Sequence, residues 1–478
     1  MEPPSAESRR RRLDSSETES TDDGRSGKGE TVIATATTQT DLLELEEIGN
    51  RLESALSHSC ADETEVVWIE SRRGEASSSG SRVSVRSSRH RTVMARVLDG
   101  GRVGSHRTGS GDGGEIADAI RQAAAQSRIH EPLPGLPHIP ADDTEAPVAE
   151  GLSCPRIADL SRNGARKLLE SLRRQREAIT LDWTLARVAV FNSRGVRRTT
   201  EVTSAALQIR HSRRPGSGRA ATAARTLDEL DAERLHEIAS YRHASGAAGE
   251  VPEGHLPIVF SAEAAIELVA LLNRTSFTAN SYSEGTSFLR EHLGVQVFDR
   301  SITLRDDATD PGGLPFPFDL EGTAKRPVDL IRDGVPKTPA LDQRQAAQLG
   351  LPPTAHSISG NDSRAENLLL LPGEKTEVEL LEQADGGLWI GWLDSVAPIE
   401  PRRVRFMAHA RGVRRIRDGA LAEALPDCIW DESLLRCLSE SPAIGSVSTR
   451  RLSRDGILGG ISAPPLLLAT HGLHPARS

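Results

Sequence analysis

The sequence predicts an α+β protein, with an N-terminal α/β sandwich-like domain followed by a β-rich C-terminal domain that contains a few helices. Three observations predict this class. Apolar residues recur at helical three- and four-residue intervals in some segments and alternate with other residues, as in strands, in the segments between them. Prolines recur between His130 and Pro155 and divide the chain. Short strand-like segments separated by turn residues dominate the second half.

Composition narrows the class of protein. A chain of 478 residues can form two or more domains. Its 59 basic and 68 acidic residues give a net charge of -9, which does not favour nucleic acid as a partner. No apolar run approaches the roughly 18 residues that span a membrane, so we expect a cytoplasmic protein without a membrane partner. The scattered cysteines fit reduced, buried thiols; they are Cys60, Cys154, Cys428 and Cys437.

The first part of the chain predicts a tail and one domain. Residues 1–38 are rich in Ser, Thr, Asp, Glu and Arg, and we expect them to be disordered. Residues 41–129 form the expected N-terminal α+β domain. Helical spacing from Asp41 to Ser57 opens it, and alternation between Val66 and Val97 predicts strands. The triplet Asp99-Gly100-Gly101 predicts a hairpin turn.

The rest of the chain predicts a linker and two further regions. Residues 130–155 are proline-rich and form the expected linker. Residues 156–250 predict a middle α+β region, in which strands flank the turn Asn192-Ser193-Arg194-Gly195. Residues 251–478 predict the β-rich C-terminal domain, and Ser261 is the expected N-cap of its first helix.

A first candidate metal site lies at His236, Glu237 and His243. A zincin helix needs two histidines one turn apart, with a glutamate beside the first to act on bound water. Here the histidines are seven residues apart, about 10 Å along a helix, which one ion does not bridge without distortion. We interpret them as polar residues on an exposed helix face, and a rearranged metal site remains the alternative.

Carboxylates cluster at Asp306, Asp307 and Asp310, and again at Asp319 and Glu321. Such clusters can perform acid-base chemistry or hold a cation. Turn formation explains them more simply, because Asp caps local backbone and Asp-Pro-Gly-Gly favours a turn. The sequence contains no G-x-S-x-G nucleophile motif and no P-loop.

An ordered series of motifs resembles the TldD/PmbA family over roughly residues 45–470. The hairpin from Arg96 to Gly104 resembles its N-terminal domain, and Asn192 to Gly195 resembles its Asn-Ser-x-Gly turn. The C-terminal motifs follow in the family's order. The matched residues are Asn192, Gly195, Asp306, Asp307, Asp319, Glu321, Gly322, Asn367, Pro372 and Gly373.

The resemblance also implies where a metal would bind. Active members resemble zinc peptidases through a His-Glu-x-x-x-His helix and a further Cys ligand near the C-terminus. In this chain Ala270, Leu271 and Thr275 stand at the matched helix positions, and none is a credible zinc ligand or proton carrier. Residues 461–468 lack a cysteine, and Cys437 lies too early in the sequence. The resemblance therefore implies that this chain holds no cofactor of its own.

Taken together, these features resemble the PmbA (TldE) branch, whose members pair with a metal-bearing TldD subunit. We expect a non-catalytic, peptide-binding subunit of a heterodimeric metalloprotease that acts on extended or unfolded peptides, with zinc in the partner. The apolar helix at 264–272 is the expected partner contact, and its burial in the chain's own core is the alternative. Two other hypotheses are a self-sufficient metallopeptidase with a rearranged site and a stand-alone peptide-binding or scaffold protein in a peptide-modification pathway.

Overall fold

The computed structural model describes most of the chain from Leu42 onwards, and the predicted disordered residues 1–38 lie outside the described residues. It confirms the predicted α+β class. The described ranges are 42–80, 82–142, 151–175, 177–211, 218–244, 249–252, 254–358, 363–453, 456–470 and 472–475.

A six-stranded antiparallel sheet organises the first half of the chain, in the order β3-β2-β1-β4-β5-β6. Residues 41–129 and 156–250, predicted as separate regions, contribute three strands each. Gly100 and Gly101 have positive φ and form the hairpin turn expected after Asp99. The strands are β1 Glu63–Ser79, β2 Arg82–Asp99, β3 Arg102–Thr108, β4 Glu177–Asn192, β5 Arg197–His211 and β6 Gly218–Ala224.

Helices cover one face of this sheet in two groups. Next to β1, β2 and β3, Trp68 packs with Ile48 and Ile116 in one core. Next to β4, β5 and β6, Trp183 packs with helix residues such as Leu169 in a second core. The order helix, three strands, helix thus occurs twice. The helices are α1 Leu45–Leu56, α2 Gly113–Ser127, α3 Pro155–Ala158, α4 Arg162–Leu172 and α5 Ala232–Tyr241, with a 3-10 turn at Asp228–Leu230.

The opposite face of the sheet changes character along its strands. At one end Val67, Val188 and Val190 pack against Phe316 and Phe318 from the second half of the chain. At the other end the side chains are mostly polar and only half-buried. We call this second part the polar face; it comprises Glu75, Thr180, Asp182, Gln208, Arg210 and Arg219.

The described residues of the second half form three further sheets. Their orders are β10-β9-β8-β11-β20-β19, β16-β15-β12-β7-β21-β18 and β13-β14-β17-β22. The first strands are β7 Leu256–Phe260, β8 Leu304–Asp306, β9 Val328–Arg332, β10 Val335–Pro336, β11 Asn367–Leu370, β12 Leu388–Ile390, β13 Trp392–Glu400 and β14 Arg405–Arg411. The others are β15 Arg414–Arg417, β16 Ala420–Ala424, β17 Cys428–Ser433, β18 Ala443–Ile444, β19 Thr449–Leu452, β20 Gly460–Ala463, β21 Leu466–Thr470 and β22 Leu473–Pro475.

Helix α6, Ala262–Ser276, is the longest helix described in this half, and it follows β7. Ser261 is its N-cap, as predicted, and its Oγ accepts a hydrogen bond from Ala264 N at 3.2 Å. Leu268 and Leu272 are buried in the chain's own core. Of the two expectations for the apolar side of this helix, burial in the core is therefore the one observed. The other helices are α7 Ala279–Ser283, α8 Leu289–His292, α9 Gln343–Leu349, α10 Glu377–Gln383 and α11 Leu434–Ser439, with a 3-10 turn at Pro401–Arg403. Within the described ranges, the helices are all too short or too polar to cross a membrane.

Candidate functional site

Helix α6 carries the three positions at which the family resemblance places metal ligands. Ala270 is half-buried, and Leu271 and Thr275 are buried. The Thr275 hydroxyl donates to the carbonyl oxygen of Leu271 at 2.8 Å, so its proton is committed to the helix backbone. Alanine and leucine side chains have no donor atom for a metal. These residues do not fit a zinc ion.

The buried cysteines do not complete a metal site either. Cys428 and Cys437 are fully buried, and burial raises the pKa of each thiol to about 12. A thiol binds zinc as the thiolate, which such burial strongly disfavours. In the part of the chain that the structure describes, no three His, Cys, Asp or Glu side chains are placed to hold a metal ion.

The structure places His236, Glu237 and His243 in different surroundings. The interpretation of His236 as an exposed residue is wrong, because its side chain is only 1% exposed. Its Nδ1 lies 2.8 Å from a carboxylate oxygen of Glu177, and its Nε2 lies 3.0 Å from Leu172 O. Glu237 is exposed and His243 is half-buried. The three side chains therefore do not converge on one point as metal ligands would.

Two family-motif acids lie in a buried polar network between the two halves of the chain. Arg96 donates to Glu321 at 2.6 Å and lies 3.0 Å from Glu65. Burial raises the pKa of Glu65 to about 8, and burial with the neighbouring Glu321 raises the pKa of Asp319 to about 7. Asp319 also accepts backbone hydrogen bonds from Thr323 at 2.9 Å and from Ser357 at 3.0 Å. The network connects the first sheet to the following loops.

A second buried cluster is centred on Asp306. Its carboxylate lies 3.3 Å from Lys325 Nζ and 3.2 Å from His356 Nε2, and it accepts the backbone N–H groups of Glu366 and Asn367 at 2.9 and 2.7 Å. Burial alone would raise the pKa of Asp306, but Lys325 and His356 hold this pKa well below its usual range. Every group around this carboxylate is positioned to keep it ionised, which is a structural role.

Other family-motif residues form turns. The Asn192 side chain accepts hydrogen bonds from Arg194 N at 2.9 Å and Val196 N at 3.1 Å, and Gly195 has a φ of 96°. Asp307 accepts from Thr309 N at 3.0 Å and Asp310 accepts from Gly312 N at 2.9 Å, as the turn interpretation predicts, whereas Asp306 contradicts it by pairing with Lys325 and His356.

The remaining motif residues allow close backbone packing. A Cβ on Gly322 would lie 2.5 Å from the Val196 side chain, and one on Gly373 would lie 2.4 Å from Ile444 O. Asn367 Nδ2 donates to Leu314 O at 2.6 Å, and Pro372 is exposed. None of these contacts requires a ligand.

A charged cavity of about 180 Å³ lies between the polar face, helix α6 and strand β19. Glu263, Glu267 and Ala270 recur at helical spacing, so the position matched to the first family histidine lies one turn beyond the wall of the cavity. The lining residues are Asp182, Ala206, Leu207, Gln208, Arg219, Ala221, Thr222, Glu263, Ile266, Glu267, Arg450 and Arg451. Asp182 and Glu267 were not predicted as site residues from the sequence. The alternation of Thr180, Asp182 and Thr184 with Leu181 and Trp183 was the available signal for a polar sheet face.

Side chains form hydrogen bonds with some of the backbone groups on the outer edge of β6, next to this cavity. Ala221 N donates to the Glu263 carboxylate at 3.1 Å, and the Thr449 hydroxyl donates to Ala221 O at 2.8 Å. Arg242 donates to Arg219 O at 3.2 Å. Helix α6 and β19 thus bind this edge strand through side chains, where a neighbouring strand would use its backbone.

The sheet with helices on one face, the β-rich second half and the position of α6 are the features to compare with known proteins. Residues 253–472 match the model of the PmbA/TldA metallopeptidase C-terminal domain. This part of the chain, 220 of its 478 residues, is therefore similar to the TldD/PmbA family.

Similar proteins carry related names. A protein named metalloprotease from Methanothermobacter thermautotrophicus is 28% identical over 209 residues, 42% of this chain and 44% of the relative. Another of that name from Archaeoglobus fulgidus is 27% identical over 221 residues, 44% of this chain and 50% of the relative. The match thus spans half or less of these relatives' length.

Two crystal structures have a similar fold. TldE from Thermococcus kodakarensis aligns with a TM-score of 0.75 at 19% identity, covering 90% of this chain and all of that one. A Thermotoga maritima protein described as a candidate modulator of a DNA gyrase gives 0.75 at 20% identity, covering 89% of this chain and all of that one. At these identities the likeness concerns the fold.

Proposed function

We propose that this chain is the non-catalytic, peptide-binding subunit of a TldD/TldE-type metalloprotease that processes or degrades unfolded peptides. The observation that carries the proposal is on α6. Ala270, Leu271 and Thr275 offer no zinc site there, while an open, charged cavity lies one turn away along the same helix. A site that retains space for a ligand without the metal chemistry fits binding better than cleavage.

The polar face supports peptide as the ligand. It is a half-buried sheet surface beside the outer edge of β6, and extended peptides bind such surfaces through backbone hydrogen bonds and side-chain pockets. Glu263 and Thr449 occupy backbone groups of Ala221 on that edge, so a peptide strand would exchange with these side chains.

The cleavage chemistry then belongs to a partner. We infer a TldD-like subunit that carries the zinc and its ligands, because this chain has neither a fitting donor set at 270, 271 and 275 nor an ionised cysteine at 437. The resemblance in fold to TldE from Thermococcus kodakarensis supports the same branch of the family.

Metal analysis and peptidase assays test the proposal. We expect less than about 0.1 zinc per purified chain, since the described residues form no donor set of the required kind. We expect no cleavage of an unfolded peptide by the chain alone and cleavage when a TldD-like subunit is co-expressed. A tightly bound zinc together with peptidase activity of the isolated chain would overturn the proposal.

His236→Ala discriminates the self-sufficient hypothesis. The variant removes a buried side chain of the alternative metal site but leaves α6 unchanged. We expect metal content and activity with the partner to stay the same at temperatures where the variant is folded, as checked by circular dichroism. Loss of stoichiometric metal in this variant would instead support a rearranged site. Glu237→Gln, at an exposed position, is the matched control with little expected cost in stability.

A further inference from the structure

We propose that the charged cavity binds a cationic side chain, lysine or arginine, of an extended peptide, and that Asp182 is the residue that recognises it. The inference rests on the proposed peptide-binding function and adds a preference for basic residues. It follows from an imbalance of charge at one point of the polar face.

Asp182 stands next to another carboxylate in the sheet. Strand register places Arg86, Glu75, Asp182 and Ala206 side by side across β2, β1, β4 and β5. Arg86 forms an ion pair with Glu75. Two neighbouring acids therefore share one arginine. Ala206, on the far side of Asp182, carries no charge.

The other charges of the cavity are already paired. Arg219 lies 3.0 Å from Glu263, and Arg451 forms an ion pair with Glu267. Arg450 lies 3.3 Å from Glu229 and donates to Gly312 O at 2.9 Å.

Asp182 is the exception. Among the described residues, no ion pair or hydrogen bond involves its carboxylate, and the arginine whose charge acts on it, Arg86, lies on the far side of Glu75. Burial, and then the charge of Glu75, raise the pKa of Asp182 to about 6. A cation at this point would compensate both effects.

The geometry limits what can reach Asp182. The carboxylate lines the cavity, which is bounded on its other sides by α6 and β19. A peptide lying on the polar face would pass this cavity, and a long unbranched side chain would reach Asp182 past Ala206. Lysine and arginine combine the length with the required charge.

Peptide binding to the full-length chain tests the inference. The probes are a labelled, unstructured peptide with one central lysine, the same peptide with Nε-acetyl-lysine, and the same peptide with arginine. At pH 7.5 we expect the lysine and arginine peptides to bind about tenfold more tightly than the acetylated one, as for a partly desolvated charge pair. Asp182→Asn should bring all three to the affinity of the acetylated peptide. Asp228→Asn, at an exposed position outside the cavity, is the control of equal charge change and should keep the preference.

A pH series adds a second readout. Because the carboxyl of Asp182 is protonated below its pKa of about 6, the preference should decline from pH 7.5 to pH 5 in the native chain and stay flat in the variant. Equal binding of all three peptides by the native chain would overturn the cationic preference and leave the proposed peptide binding intact. A preference that survives Asp182→Asn would overturn the assignment of this residue. Absence of any peptide binding would overturn both proposals.

Discussion

At the scale of single residues, the buried acids divide into two kinds. Asp306 is surrounded by donors and cations that keep it charged. Glu65 and Glu321 face one arginine between them, and burial, with the charge of Glu321, raises the pKa of Glu65. The first kind stays ionised and stabilises one arrangement of loops, whereas in the second kind burial favours the protonated form of Glu65.

Replacing Asp306 by asparagine tests the first kind. Asp306→Asn leaves Lys325 buried without its counter-charge, so we expect a loss of about 3–5 kcal/mol in the free energy of unfolding. Urea denaturation followed by circular dichroism measures it. Asp418→Asn, at an exposed turn with positive φ that asparagine tolerates, is the control and should change stability by less than about 0.5 kcal/mol. Equal effects of the two substitutions would contradict the role of the cluster.

The same cluster predicts a pH dependence. The folded pKa of Asp306 lies below its value of about 3.9 in an unfolded chain. Its contribution is therefore complete above pH 4 and is lost as the pH falls further. The difference in stability between the native chain and Asp306→Asn should shrink as the pH is lowered from 5 to 3. A constant difference over this interval would show that the carboxylate is not ionised in the folded protein.

Residue roles were predictable from sequence only where they are local. The turns at Asn192 to Gly195 and at Asp307 depend on neighbouring residues, and they form as expected. Arg96 and Glu321 are 225 positions apart, and their pairing depends on how the sheet meets the later loops. No pattern in the sequence identifies such a pair.

At the scale of elements, two glycines let helices lie directly on the end strands of the first sheet. A Cβ on Gly104 of β3 would lie 1.9 Å from Ala123 O of α2, and one on Gly218 of β6 would lie 1.8 Å from Ala239 O of α5. The two halves of the sheet thus use the same device at corresponding places. A side chain at either position would push the helix away.

Alanine substitutions measure this close approach. Gly104→Ala and Gly218→Ala should each cost about 1–3 kcal/mol, because helix backbone cannot move aside without loss of packing. Gly113→Ala, where nothing lies within 4 Å of the added Cβ, is the matched control and should be neutral or slightly stabilising. Thermal unfolding by differential scanning calorimetry compares the three. A neutral Gly218→Ala would contradict the predicted clash.

Periodicity predicted the type of many elements and less of their extent. The capped helix after Ser261 and the hairpin at Gly100 are present. Strand β2, however, is continuous from Arg82 to Asp99, whereas apolar alternation marked only its two ends. Its central residues from Arg86 to Arg91 include no apolar side chain, and pairing with β1 continues through them. Apolar pattern alone therefore underestimates a strand whose centre faces solvent.

At the scale of the whole molecule, the contact around Phe316 and Phe318 links the two halves of the chain. These rings pack with Val67, Val188 and Val190 on the sheet face that lacks helices. Leu320, Ile457 and Leu458 from the second half cover the same apolar part of the face. The first half therefore depends on the second to keep this surface dry.

A fragment of residues 42–252 tests this dependence. Without Phe316 and Phe318 it exposes the valines of the sheet, so we expect self-association in sedimentation velocity and increased fluorescence of the dye ANS, relative to the full chain at equal concentration. The substitutions Val188→Thr and Val190→Thr in the fragment should reduce both the self-association and the ANS fluorescence. A monomeric fragment with the full chain's dye response would show that the contact is dispensable.

The resemblance to the TldD/PmbA family could be predicted from ordered motifs, and the match of residues 253–472 confirms that resemblance. The charged cavity could not, because its walls come from β4, β5, β6, α6 and β19, which are far apart in sequence. Each wall is a short polar stretch that resembles any exposed surface. Only the assembled sheets bring Asp182, Glu267 and Arg451 to one place.

The side chains bound to the outer edge of β6 also affect the tendency of the protein to aggregate. An open sheet edge can recruit other molecules into fibrils, and natural proteins often guard it with lysine or proline. Here Glu263, Thr449 and Arg242 occupy backbone groups of this rim. These side chains therefore hinder the pairing of β6 with strands of other molecules, although β6 itself contains small residues such as Ala220 and Ala221.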